Sequence, residues 1–310
     1  MKTSNHLLRR LTAALLAAVL ALSIALPVFA SDDGDTIYIN SVSDLLSLAK
    51  SCAYDQWSVG KTVILQKDLS LEGMLWEPIP SFSGQFKGNG HTISDLTITG
   101  QYSPAGLFGI VEEQGSIESL SVRGIVSVSD SADTTTGGIV GINHGTLINC
   151  QFTGVVTGDS EVGGIVGRNE SEGTIDHSTA RAIVTGKSST GGIAGYNLGA
   201  ITGCTNVGSI NTEYQEASLD TDGFTAKMVD YINNKMAAAD DDTTNSVTNV
   251  ATDTGGIAGR SSGMILTSVN TGTVGYEHIG YNVGGIVGRT DGLVSGCVNP
   301  VSYTHLTLPT

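Results

Sequence analysis

Positive charge is scarce in this chain. Lys and Arg number 15 against 30 Asp and Glu, for a formal charge of −15 over 310 residues. Nucleic-acid binding needs basic patches, so that class is excluded. No long apolar run follows the first thirty residues, so no later helix is expected to cross a membrane. No histidine is followed by Glu, which removes the His-Glu-x-x-His zinc peptidase motif. GxxxxGK[ST] phosphate loops and twelve-residue EF-hand loops are absent as well. There are only four cysteines. Glycine is plentiful, at 41 residues, but does not recur every third position, which excludes collagen.

The first thirty residues read as a cleaved secretion signal. Lys2, Arg9 and Arg10 form a basic start, and Val28-Phe29-Ala30 offers a small-residue cleavage pattern. The apolar run from Leu11 to Leu26 falls short of the ~20 residues that span a bilayer. Cleavage near Ser31 leaves a mature chain three units more negative than the full one. A secreted, cell-surface or extracellular location follows.

What the chain does contain is a repeat. Gly137-Gly138-Ile139-Val140-Gly141 returns at Gly163-Gly164-Ile165-Val166-Gly167, and with Ala as its fourth member at Gly191-Gly192-Ile193-Ala194-Gly195 and Gly255-Gly256-Ile257-Ala258-Gly259. It returns again at Gly284-Gly285-Ile286-Val287-Gly288, and a degenerate copy starts at Ala105. Starts lie 32, 26, 28, 64 and 29 residues apart, and the 64 reads as one unit plus an insertion. Other columns follow in register. A small polar residue recurs at Asn143, Asn169, Asn197, Ser261 and Thr290, and an apolar one at Ile117, Leu147, Ile175, Ile201, Ile265 and Val294. Three residues further on comes a column expected to be buried: Leu120, Cys150, Ser178, Cys204, Ser268 and Cys297. A last apolar column closes the unit at Val126, Val156, Val184, Ile210 and Val274.

Short β-branched runs parted by glycine turns are strands, not helices. One unit buries about five apolar side chains, at roughly 1.5–3 kcal/mol each. Ordering its backbone costs roughly 1–2 kcal/mol per residue. A unit is therefore stable only when neighbours share strand hydrogen bonds and one core, which is the logic of a solenoid. The fold class is all-β: a right-handed parallel β-helix or β-solenoid, with three strands per coil or two. The glycines are read as corners with φ > 0, or as places where coils approach closely.

Cysteines two coils apart lie ~9.6 Å apart at ~4.8 Å per coil, too far for a disulfide. Cys150, Cys204 and Cys297 are therefore expected to stay reduced, and a Cys150–Cys204 bridge in non-reducing mass spectrometry would break the register. One thiol per two coils also gives no zinc set. No metal or cofactor is expected.

The domain reading is a signal at 1–30, an N-terminal cap and first coils at 31–104, repeats at 105–300, and a non-native tail at 301–310. The cap carries a short helix over Ser43–Ala53, with Ser41 as its cap and Asp44 three residues on. Within the repeats, 211–254 is a lateral insertion whose Phe224, Met228, Val229, Ile232 and Met236 share one helical face. The tail lacks repeat character and is read as the end of a reading frame cut inside a unit.

The GGIVGxN pattern, with Trp76-Glu-Pro-Ile79 and Phe86-Lys-Gly-Asn-Gly-His-Thr-Ile93 upstream, resembles GLUG-motif repeats over roughly 36–299. The resemblance implies a right-handed β-solenoid of bacterial surface proteins and adhesins. Such repeats also make up non-catalytic regions of immunoglobulin-A-cleaving zinc metallopeptidases. It implies no catalytic, cofactor or metal residues, and none are assigned here. The expected function is a structural or adhesive module without its own catalysis, facing host or cell-wall glycans or proteins.

Two alternatives stay open. One is an N-terminal non-catalytic fragment of a larger secreted metallopeptidase. The other is a polysaccharide-binding or polysaccharide-degrading β-helix, for which Arg168, Arg260 and Arg289 share one column with Tyr196 and Ile142. The loop acids Asp159, Glu161, Glu170 and Glu172 lie near that column along the chain. His144 and His177 fall in adjacent coils, near a turn and in a strand, without matching.

Overall fold

A computed structural model describes residues 35–54, 56–128, 134–212, 253–275 and 282–300. The secretion signal, the amphipathic helix of the insertion and the tail lie outside these residues. What is described is a parallel β-solenoid with one helix.

Each complete coil passes through four sheets rather than three, and in the later coils the sheet 4 segment is split into two short strands. One coil runs through Glu161–Gly163 (sheet 1), Val166–Asn169 (sheet 2), Thr174–Asp176 (sheet 3) and Thr179–Thr185 (sheet 4). The sheets hold five, seven, nine and nine strands in that order, and the strand pairs that link one coil to the next are parallel. Sheet 1 is the extra one. Its strands are two or three residues long and most end on the first glycine of the pentad, so no apolar run marks them.

Register follows the repeat residue for residue. Val140 sits beside Val166, Leu147 beside Ile175, and Val156 beside Val184. Ile139, Ile165, Ile193 and Ile257 are fully buried and belong to one continuous core. That core changes along the axis. Phe82, Phe86 and Phe108 form an aromatic cluster at the N-terminal end, with ring centroids 5.4–6.3 Å apart. The column that runs from Ile79 through Phe108 shrinks over Val140 and Val166 to Ala194 and Ala258 before ending at Val287.

The strands that precede the first pentad already belong to the coils. Thr62–Leu65 pairs with Gln85–Lys87, and Ile79–Phe82 with the strand Phe108–Val111. Helix α1 (Val42–Ser51) lies ahead of them. The Ser41 Oγ accepts from the Asp44 amide at 3.2 Å, and the Asp44 carboxylate accepts from the Asn40 amide at 2.9 Å. This reciprocal cap starts the helix, and Leu45 and Leu48 bury its apolar side.

The insertion does not interrupt the stack. Ile210 pairs with both Val184 and Val274, and Gly255 with both Gly191 and Gly284, so coils on either side are direct neighbours. The chain leaves at the corner between sheets 4 and 1 and returns there. The Asn211 Nδ2 donates to the Thr254 Oγ1 across that gap at 3.1 Å.

Two expectations about backbone conformation need correction. None of the pentad glycines has a positive φ. Their use is close approach: a Cβ on Gly167 would sit 2.6 Å from the Thr136 amide nitrogen, and one on Gly164 would collide with the Gly192 carbonyl of the next coil. The left-handed residues lie instead between sheets 3 and 4, at Ser119, Asn149, His177, Gly203, Thr267 and Gly296. His177 therefore occupies a corner, not a strand.

The inward column of sheet 1 carries one defect. Thr136 is fully buried, and its Oγ1 has no hydrogen-bond partner among the described residues. Val162 occupies the neighbouring place in that column. Exchanging Thr136 for Val keeps the shape and removes the unpaired hydroxyl. Thr136→Val is expected to stabilise the chain by about 1 kcal/mol, read as a higher urea midpoint with unchanged slope. A lower midpoint would mean that the hydroxyl has a partner.

Candidate functional site: the outer face of sheet 2

Interior positions of sheet 2 are taken up by stacking. Asn143, Asn169 and Asn197 are fully buried, and their amides form a ladder from coil to coil. The Asn143 Nδ2 donates to the Asn169 Oδ1 at 2.8 Å, and the Asn169 Nδ2 to the Asn197 Oδ1 at 2.8 Å. The Asn197 Nδ2 donates to the Ser261 Oγ at 3.0 Å. A second ladder, not recognised as one in the sequence, links Asn206 to Asn270 at 2.8 Å and Asn270 to Asn299 at 2.9 Å.

The Leu120, Cys150, Ser178, Cys204, Ser268 and Cys297 column lies just after the left-handed corner. Leu120, Cys150, Ser178, Cys204 and Ser268 are buried, and Cys297 is half-buried. Its hydroxyls and thiols bridge coils: the Cys150 amide donates to the Ser178 Oγ at 3.1 Å, and the Cys204 amide to the Ser268 Oγ at 3.2 Å. All four cysteines are free. Burial pushes the Cys150 and Cys204 thiols up to about 12, and that of Cys52 up to about 11. Thiolate is the reactive form, so these three are protected from oxidation and labelling.

Outward positions of the same sheet differ from coil to coil. In register they read Ser81, Ile110, Ile142, Arg168, Tyr196, Arg260 and Arg289. Arg168 and Arg260 stack on the two faces of the Tyr196 ring, each 5.0 Å from its centroid. The Arg168 guanidinium donates to Glu161 at 2.7 Å and to Glu170 at 2.6 Å. Burial is the largest single influence on Arg168 and acts downward, yet the two carboxylates hold its pKa above the ordinary value.

The Tyr196 hydroxyl meets the Ser262 Oγ at 3.3 Å. Asp291 lies beside this group. A hydrogen bond from Ser262 first, and then the Arg260 and Arg289 charges, hold its carboxyl below the usual range. Of the other loop acids, Asp159 pairs with Lys187 instead of the arginines. Glu172 accepts from the Ser171 hydroxyl at 2.6 Å.

Sequence reasoning found the arginine column and Glu161 and Glu170. It missed Ser262 and Asp291, which lie beyond the pentad and vary between units. His177 pairs with Asp176 at 2.8 Å. Among the described residues no three of His, Cys, Asp and Glu gather as a metal set. No helix among them is long and apolar enough to cross a membrane.

Fold and site together define a repeat-built parallel β-solenoid module. No family model matches the chain. Its sequence is similar to halomucin of Haloquadratum walsbyi, at 32% identity over 155 residues. It is also similar to a provisionally named Gly-rich membrane protein of Evansella cellulosilytica, at 29% over 137 residues. These alignments cover 46% and 32% of this chain but only 2% and 16% of those proteins. Among solved structures, a Bacteroides ovatus protein provisionally assigned as an immunoglobulin A1 protease matches with a TM-score of 0.55 at 17% identity. That match covers 84% of this chain and 74% of the other. The likeness is one of fold and carries no peptidase activity to this chain.

Proposed function

We propose that the chain is a non-catalytic structural and adhesive module of a secreted bacterial cell-surface protein. One observation carries this reading. Along each strand of sheet 2 the inward residues repeat from coil to coil, while the outward ones run from Ile through Arg and Tyr. A scaffold that keeps its core periodic and varies one outer face is built to present a surface. The likeness to a mucin-named and a membrane-named protein supports a place at the cell envelope.

The test is a glycan and matrix-protein array probed with the purified chain, beside a reducing-end assay on a polysaccharide panel. Saturable binding without release of reducing ends is expected. Depolymerisation of any polysaccharide would overturn the reading in favour of an enzyme.

A further inference from the structure

Arginines on this solenoid follow a spacing rule with one exception. On sheet 4 the order is Arg123, Thr153, Arg181, so two guanidiniums are separated by a neutral coil. On sheet 2 the order Arg168, Tyr196, Arg260 does the same. Like charges directly opposite one another on adjacent parallel strands are destabilising. Arg260 and Arg289 break the rule, because they are register partners in adjacent coils, ~4.8 Å apart.

Their neutralisation is also incomplete. Arg168 alone has two carboxylates within 2.7 Å. Arg260 and Arg289 form no salt bridge with a described carboxylate and share only the field of Asp291. Arg260 is half-buried and Arg289 is exposed.

We propose that Arg260 and Arg289 bind the anionic groups of an extended acidic polysaccharide lying along the solenoid axis. This rests on the reading of the chain as an adhesive module and names the ligand class of that surface. Two guanidiniums one coil apart present forks that match carboxylate or sulfate oxygens. An anion between them relieves the like-charge contact, so binding there removes a cost as well as adding hydrogen bonds. Both faces of Tyr196 are already covered by guanidiniums. The ring therefore orients Arg260 and leaves no face for stacking on a neutral sugar. Adjacent coils rise by ~4.8 Å, so a linear polyanion lying along the axis meets Arg260 and then Arg289. The overall charge of −15 does not forbid this, because charges beyond ~8 Å are screened at physiological ionic strength.

The test compares the full chain with two double variants that change net charge equally, Arg260→Gln/Arg289→Gln and Arg123→Gln/Arg181→Gln. Each is offered immobilised polygalacturonate, dextran sulfate and plain dextran, with thermal melts confirming that all three proteins fold. The parent is expected to bind one or both polyanions over dextran, and to weaken as salt rises. Polygalacturonate binding marks carboxylate as the recognised group, and dextran sulfate binding marks sulfate. The Arg260/Arg289 variant is expected to lose at least about tenfold in affinity, and the Arg123/Arg181 variant to match the parent. Equal losses in both variants, or none in the first, would overturn the proposal, as would a parent with no preference for polyanions. Binding of another array ligand that survives Arg260→Gln/Arg289→Gln would sink this proposal and leave the adhesive reading standing.

Discussion

Gly164→Ala is expected to lower the stability of the chain by about 3 kcal/mol, measured as a shift in the urea midpoint. Alanine is the smallest available change, and Gly164 has no left-handed backbone to lose. The cost comes from the neighbouring coil. The new methyl would collide with the Gly192 carbonyl oxygen and lie 3.0 Å from the Ala180 Cβ. Neither can yield cheaply. The Gly192 amide is bonded to the Gly255 carbonyl, and the Ile165 amide to the Ile193 carbonyl, so both sides of the contact are tied into the coil ladder. A solenoid's stability is a sum over neighbouring interfaces, so a lesion between central coils separates the two halves of the stack. Two unfolding transitions in place of one are the expected signature. Gly60→Ala is the control, since its Cβ would meet nothing within 4 Å although φ is +73°. There only local backbone strain is paid, about 1–2 kcal/mol. If Gly164→Ala were no worse than Gly60→Ala, the close-approach account of the pentad would be wrong.

This contrast explains how much of the fold was legible beforehand. Columns whose chemistry is uniform, such as Leu147, Ile175 and Ile201, announce their register because every coil solves the same burial problem with the same kind of side chain. The corner column could not be found that way. Its members are Ser119, Asn149, His177, Gly203, Thr267 and Gly296, which share a backbone conformation and no side-chain chemistry. Sheet 1 escaped notice for a related reason: its strands are short, and one inward column mixes Thr136, Val162, Thr190 and Thr254. The second asparagine ladder was hidden because the same column carries Leu69, Ile93, Val122, Phe152 and Ala180 before it reaches Asn206. Once the interior narrows, Asn206 and Asn270 fill the space opposite Gly192 and Gly256, where a Cβ would strike their side chains. On the outer face, the arginine column was visible because charge is rare here. Ser262 and Asp291 were not, because their place depends on how each turn folds over the strand.

Asn169→Ala is expected to cost roughly 3 kcal/mol, several times the effect of an ordinary surface change. Asn169 is fully buried and stands at the middle of its ladder. It accepts from Asn143, and it donates to the Asn197 Oδ1 and to the Gly173 carbonyl at 3.0 Å. Truncation breaks all three bonds in a place that water does not reach, and each stranded group costs about 1–3 kcal/mol less whatever relaxation recovers. A cavity alone would cost less, and Asn169→Asp separates the two accounts. The carboxylate keeps the shape and can still accept from Asn143. It cannot donate to the Asn197 Oδ1 unless it is protonated. Burial raises its folded-state pKa above the unfolded value of about 3.9, so the folded state binds the extra proton. The stability of the Asp variant is then highest below about pH 4 and is lost as pH rises through the folded-state value. The parent shows no such loss from this position. Urea titrations of Asn169→Asp at acid and neutral pH, each compared with Asn169→Ala, supply the check. A gap between the two variants that does not change with pH would mean that volume, and not the amide ladder, holds these coils in register.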